Sequence, residues 1–137
     1  MPTILVITPD ALGHHLLDAL LSLHGYDVVF AECGRKGLDF FRTICPDVVV
    51  LDLKIHDMKA VAVVRQIRRL HSHQPVIVLT GNGTSESEQR IRSIGVNEMI
   101  GKEVAPRHIV GILKRLLKPV VQVRDLSLTH GEWKTIS

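Results

Sequence analysis

Aromatic residues are scarce in this chain: three Phe, one Tyr and one Trp among 137 residues. A surface that grips single-stranded nucleic acid interleaves stacking rings with cations, so direct nucleic-acid binding is not expected. Cysteine is equally sparse. Cys33 and Cys45 match no metal-ligand spacing, and in a reducing compartment they read as buried thiols rather than a disulfide. No apolar run approaches the ~20 residues of a spanning helix, so no membrane contact is expected. The N-terminal MPTILVITPD lacks the charged start and small-residue cleavage site of a secretory signal; a cytoplasmic location is the expectation. Neither charge sign dominates. Seventeen Lys and Arg stand against fourteen Asp and Glu, a formal +3 with pI near 9.1, which permits an acidic partner without arguing for one. No GxGxxG follows the first apolar run and no P-loop occurs anywhere, which speaks against a dinucleotide- or nucleotide-binding enzyme.

The chain does have a dense supply of Val, Ile and Leu. Apolar residues make up 45% and charged residues 23%, with mean hydropathy +0.19, enough for one closed core and too little for two. Extended and helical patterns alternate without any longer repeat. TILVI (3–7) is a β-rich run, and residues 10–25 place Leu12, Leu16, Leu20 and Leu23 on one helical stripe ending at Gly25. YDVVFA (26–31) is a second strand; RKGLDFFRTI (35–44) is a helix stopped by Pro46. DVVVLD (47–52) is the third strand. Residues 59–73 form a helix burying Val61, Val64, Ile67 and Leu70, with Arg65, Arg68 and Arg69 in solvent. PVIVLT (75–80) is a fourth strand, and Ser85 with Glu88 suggests a capping box for a helix through Ile91 and Ile94. VNEMIG (96–101) and PRHIVGILKRLL (106–117), with Pro106 in its first turn, complete the series. Strict alternation demands parallel strands joined by helical crossovers. The expected class is α/β: a doubly wound, five-stranded parallel sheet with helices on both faces.

Ligands of such sheets bind beyond the carboxyl ends of the strands, near a switch in strand order. The residues expected there are Thr8, Pro9 and Asp10 after the first strand, Asp52 after the third, Thr80 after the fourth and Lys102 after the fifth. Asp52 is the informative one. The run VVVLD is apolar enough to be buried on both faces and still ends in an acid. A carboxylate, a hydroxyl and an ammonium on one rim can hold an oxyanion, with the acid as nucleophile or metal ligand.

From about Thr3 to Leu117 the chain resembles the receiver domains of response regulators. The pieces that carry the resemblance are ILVI, PDVVVLDLKIHDM, PVIVLTGNG, GVNEMIGK and IVGILKRLL, in that order. It implies a flavodoxin-like receiver fold and a signalling module rather than an enzyme. It also implies roles: Asp52 as phosphoacceptor, Thr80 as the hydroxyl that moves toward the phosphoryl group, Lys102 as the phosphate-pairing amine. The implied partners are a histidine kinase or phosphotransfer protein and a downstream effector or output domain, with homodimerisation left open. The implied cofactor is Mg²⁺.

Departures from the family pattern are concentrated at the metal. Receivers follow the first strand with two adjacent acids; here Thr8 and Pro9 stand in their places. Asp52, Asp10 and the Lys54 backbone carbonyl remain as a weak set of oxygen donors for Mg²⁺. Thr8-Pro9-Asp10 reads chiefly as a helix start, with Thr8 as N-cap. Glu103 follows Lys102 where Pro is common, and Met99 occupies the place of the inward-swinging aromatic ring. The alternative reading is a pseudo-receiver, the same fold acting as a phosphorylation-independent docking or dimerisation module.

The remaining features invite bland readings. His14 with His15 point apart on a helix, and His71 with His73 lack a third ligand, so the histidines are expected in solvent. Residues 1–118 are expected to be the receiver domain. Residues 119–137 are a C-terminal tail or the start of a truncated output domain; RDLSLTHGEW weakly resembles the first hairpin of winged-helix domains.

Overall fold

A computed structural model describes residues 1–81, 86–101 and 105–117. Ten elements alternate: β1 (Thr3–Ile7), α1 (Ala11–Leu23), β2 (Asp27–Ala31), α2 (Gly34–Ile44), β3 (Val48–Asp52), α3 (Ala60–Leu70), β4 (Val76–Thr80), α4 (Glu86–Ile94), β5 (Glu98–Gly101) and α5 (Ala105–Leu116). All strand pairs are parallel, in the order β2-β1-β3-β4-β5. The doubly wound α/β expectation is therefore met.

Strand periodicity divides the core in two. Ile4 and Val6, Val48 and Val50, and Ile77 and Leu79 face α1 and α5. Leu5 and Ile7, Val49 and Leu51, and Val76 and Val78 face α2, α3 and α4. Every residue of β3 is buried, because a central parallel strand covered on both faces has no wet side.

Packing corrects several helix faces expected from periodicity. In α1, Leu16 is 60% and Leu23 79% exposed, whereas Leu17 and Leu21 are buried. Leucines lie on more than one face of this helix, so their spacing alone did not select the face that meets β1 and β2. Leu70 is half exposed at the end of α3, and Val63 is buried in its stead. Arg68 is half-buried rather than solvated: its Nε donates to the Gly95 carbonyl at 3.1 Å and its Nη1 to the Gln74 carbonyl at 2.6 Å. Desolvation pushes its pKa below the usual guanidinium value. The two carbonyls belong to the turns before β4 and β5, so this side chain ties α3 to both crossings. β5 is shorter than the expected 96–101, because Asn97 engages Val76 partly through its side chain, which accepts the Val76 N–H at 2.9 Å. Cys45 is exposed, not buried, and closes α2 with a left-handed φ of 49°. The Ser85 half of the expected capping box lies outside the described residues; Glu88 is buried.

Gly37 marks the closest approach of helix to sheet. A Cβ there would lie 2.4 Å from Ile7 Cδ1 and 2.7 Å from its Cγ1, and Ile7 is fully buried. Gly37→Ala is expected to destabilise by about 1–3 kcal/mol through overpacking. This outweighs the ~1 kcal/mol that Ala gains over Gly as a helix former. Urea unfolding of the two proteins checks the sign.

The start of α2 is capped from another part of the chain. Cys33 occupies the N-cap without a side-chain bond to the helix N–H groups, and Asp57, from the β3–α3 loop, accepts from the N–H groups of Gly34 at 2.8 Å and Arg35 at 2.9 Å. Desolvation pushes the Asp57 carboxyl up, but the backbone N–H donors, Arg35 and Gly34 first among them, together outweigh it and hold it below the usual carboxylate value. Asp57→Ala should cost about 1 kcal/mol at neutral pH, as loss of a helix cap does. Because the folded value is depressed, this contribution is complete above the unfolded carboxyl value and vanishes as pH falls through the folded one. Wild type and variant should therefore converge in acid unfolding.

Candidate functional site

The order β2-β1-β3 makes β1 and β3 the strands from which the sheet is wound in opposite senses, and the crevice lies beyond their carboxyl ends. Thr8 directly follows β1 and Asp52 ends β3. The two meet. Thr8 Oγ1 donates to Asp52 Oδ2 at 2.7 Å, and the Lys54 N–H donates to Asp52 Oδ1 at 2.9 Å. Asp52 is 1% and Thr8 3% exposed. The carboxylate at the end of this buried strand is thus held by a hydroxyl and a backbone amide. Charge-assisted bonds of this length, shielded from water, are among the strong ones.

Thr8 is not the helix cap expected from TPD. Asp10 immediately precedes α1, and its carbonyl accepts the His14 N–H at 3.2 Å, so the cap position falls on Asp10. Thr8 instead accepts the Asp10 N–H on its hydroxyl at 3.2 Å while donating to Asp52. The Thr8 N–H donates to Ala31 at 2.9 Å. His14 departs from the solvated expectation: its Nε2 lies 3.1 Å from the Thr8 carbonyl, and its ring stacks on Phe30 with centroids 4.2 Å apart. His15, His24, His56, His71, His73 and His108 are exposed.

Thr80 ends β4, one residue beyond Leu79, the register partner of Asp52. Its hydroxyl donates to the Ile100 carbonyl of β5 at 3.4 Å, a length at which a hydrogen bond is weak. Met99 packs, partly buried, against the α2–α4 face of the core. Lys102 lies outside the described residues, so of the three rim groups expected, Asp52 and Thr80 are seen on adjacent strands. Thr8 was expected at this rim as a helix cap, and its bond to Asp52 was not. Forty-four positions separate it from Asp52, and no local signal links them.

A family model described as "Response regulator receiver domain" matches residues 4–114. The chain belongs to the response-regulator receiver domain family. This receiver domain is 32% identical to a probable transcriptional regulator, ycf27, of Porphyridium aerugineum over 119 residues, covering 85% of the chain and 48% of that protein. It is 30% identical to the response regulator MprA of Mycolicibacterium vanbaalenii over 115 residues, 84% of the chain and 50% of the relative. The chain therefore spans about half the length of the curated relatives it matches. Among solved structures, a response regulator receiver domain protein from Clostridium thermocellum superposes with a TM-score of 0.79 at 26% identity, over 85% of this chain and 94% of that one. The receiver domain is accordingly a phosphorelay signal-transduction module. Among the described residues, no helix is long and apolar enough to cross a membrane.

Receivers as a family use Mg²⁺. Mg²⁺ calls for near-octahedral oxygen ligands, commonly one or two carboxylates with several waters. At the receiver's acid-pair positions stand a hydroxyl already committed to Asp52 and a proline. Asp52 itself is sealed from solvent. Among the described residues, no three His, Cys, Asp or Glu side chains are grouped to hold a metal ion. The donor set of Asp52, Asp10 and the Lys54 carbonyl therefore fits Mg²⁺ poorly.

Proposed function

We propose that Asp52 is the phosphoacceptor of this receiver domain, taking its phosphoryl group from the phosphohistidine of a kinase or phosphotransfer protein. A carboxylate oxygen attacks phosphorus, the P–N bond breaks, an acyl phosphate forms and the donor's imidazole, already protonated on its other ring nitrogen, leaves neutral. The observation that carries this reading is the hold of the Thr8 hydroxyl and the Lys54 amide on Asp52. The Lys54 amide fixes one oxygen and the Thr8 hydroxyl the other, so the carboxylate is held in one orientation at the end of β3.

Phosphorylation adds roughly −1.5 to −2 of charge at neutral pH. Thr80 is suited to answer it, since its bond to Ile100 at 3.4 Å costs little to release. Lys102, following β5, would supply the opposing ammonium. Movement of Thr80 off Ile100 alters the β4–β5 edge and α4, a surface on which an output domain or effector can sense the change. Met99 in place of an aromatic ring means that this relay runs without an inward-swinging Tyr or Phe.

The test is a titration with acetyl phosphate or beryllofluoride, with and without Mg²⁺, followed by amide NMR. The expected result is displacement of the Leu53, Lys54 and Thr80 signals together. A chain that stays unlabelled and unmoved under every condition would overturn the phosphoacceptor reading and leave a docking module.

A further inference from the structure

The clamp on Asp52 is built from buried groups that leave little freedom. Thr8 has each of its polar groups engaged: its N–H on Ala31, its carbonyl against His14 Nε2 and its hydroxyl between Asp10 and Asp52. Because the Asp10 N–H already uses the hydroxyl oxygen as acceptor, the hydroxyl proton is directed at Asp52 Oδ2, 2.7 Å away. Thr8 and Asp52 are both almost wholly out of solvent. A cluster of carboxylates at such a rim repels itself and stays hydrated until a cation enters. Here the position that would hold such an acid carries the Thr8 hydroxyl, a neutral donor to Asp52.

We infer that Thr8 is a positioning residue that takes over the orienting task of a divalent cation, so that the resting geometry of Asp52 is set by the chain's own hydrogen bonds and is insensitive to Mg²⁺. The inference rests on the reading of Asp52 as the functional acid. Its test uses no phosphodonor, so the two can fail separately. An absent beryllofluoride response strikes the phosphoacceptor reading, whereas the measurements below concern Thr8 alone.

The experiment follows the amides of Leu53 and Lys54 in the full chain, titrated with MgCl₂ to millimolar concentration. Wild type is compared with Thr8→Ser, Thr8→Val and Thr8→Asp. Wild type and Thr8→Ser, which keep the hydroxyl, should show no Mg²⁺-dependent displacement. Thr8→Asp, which supplies a second carboxylate, should gain a saturable displacement with apparent affinity at least about tenfold higher. Thr8→Val keeps the shape and deletes the donor. Exchange of the Lys54 amide with solvent should then accelerate roughly threefold to tenfold, the worth of one hydrogen bond, and Thr8→Ser should restore it. A structural role for the methyl and backbone alone would leave Thr8→Val like wild type, and that result would overturn the inference. So would wild type responding to Mg²⁺ as strongly as Thr8→Asp. If Thr8→Val does not fold, the response of wild type and Thr8→Ser to Mg²⁺ still decides.

Discussion

Asp52→Asn is expected to abolish phosphoryl incorporation while leaving the fold in place. The amide is isosteric with the carboxyl group. Its carbonyl can accept the Lys54 N–H as Oδ1 does now, and its NH₂ can donate to the Thr8 hydroxyl oxygen, reversing the direction of that bond. The Thr8 proton must then find another acceptor, a loss of about 1 kcal/mol. Stability should therefore change by no more than about 1 kcal/mol, and thermal unfolding should stay cooperative. Intact-mass spectrometry after acetyl phosphate reads the first half of the prediction. An Asn variant that still gains the mass of a phosphoryl group would move the acceptor elsewhere.

Ile77→Ala should be the most damaging of the single changes considered, at about 2–5 kcal/mol. Ile77 has no exposed surface and sits on β4, between Val50 of β3 and Glu98 of β5, in the cluster shared with Ile109 and Leu113. Parallel central strands cannot collapse around a missing side chain, because the ladder holds both neighbours in register. Domains of this kind have total stabilities of roughly 5–15 kcal/mol, so urea unfolding should show a large fall in midpoint. Leu16→Ala supplies the contrast. Although Leu16 belongs to the expected apolar stripe of α1, it is 60% exposed, and its loss should stay within about 0.5 kcal/mol.

The amino-acid sequence by itself determined the architecture. Valine- and isoleucine-rich runs spaced by helical patterns allow little besides a parallel sheet with covered faces, because parallel neighbours need crossovers and crossovers need room for a helix. It also placed Asp52 and Thr80 at strand ends and Thr8 and Asp10 in the connection after the first strand, since a polar residue terminating a buried strand can only lie at the rim. The rotation of α1 was not legible: Leu12, Leu16, Leu17, Leu20, Leu21 and Leu23 surround that helix, and only contact with the sheet chose Leu17 and Leu21. Nor was the capping of α2 by Asp57, 23 positions from Gly34, or the anchoring of Arg68 to two carbonyls in distant turns. The pairing of Thr8 with Asp52 belongs with these. Local sequence reads Thr8 as a helix cap because its nearest neighbours are a proline and an acid, whereas the placement of β1 beside β3 gives its hydroxyl a stronger acceptor from across the sheet. Hydrogen bonds between remote segments depend on register and burial, and both arise only once the strands have assembled.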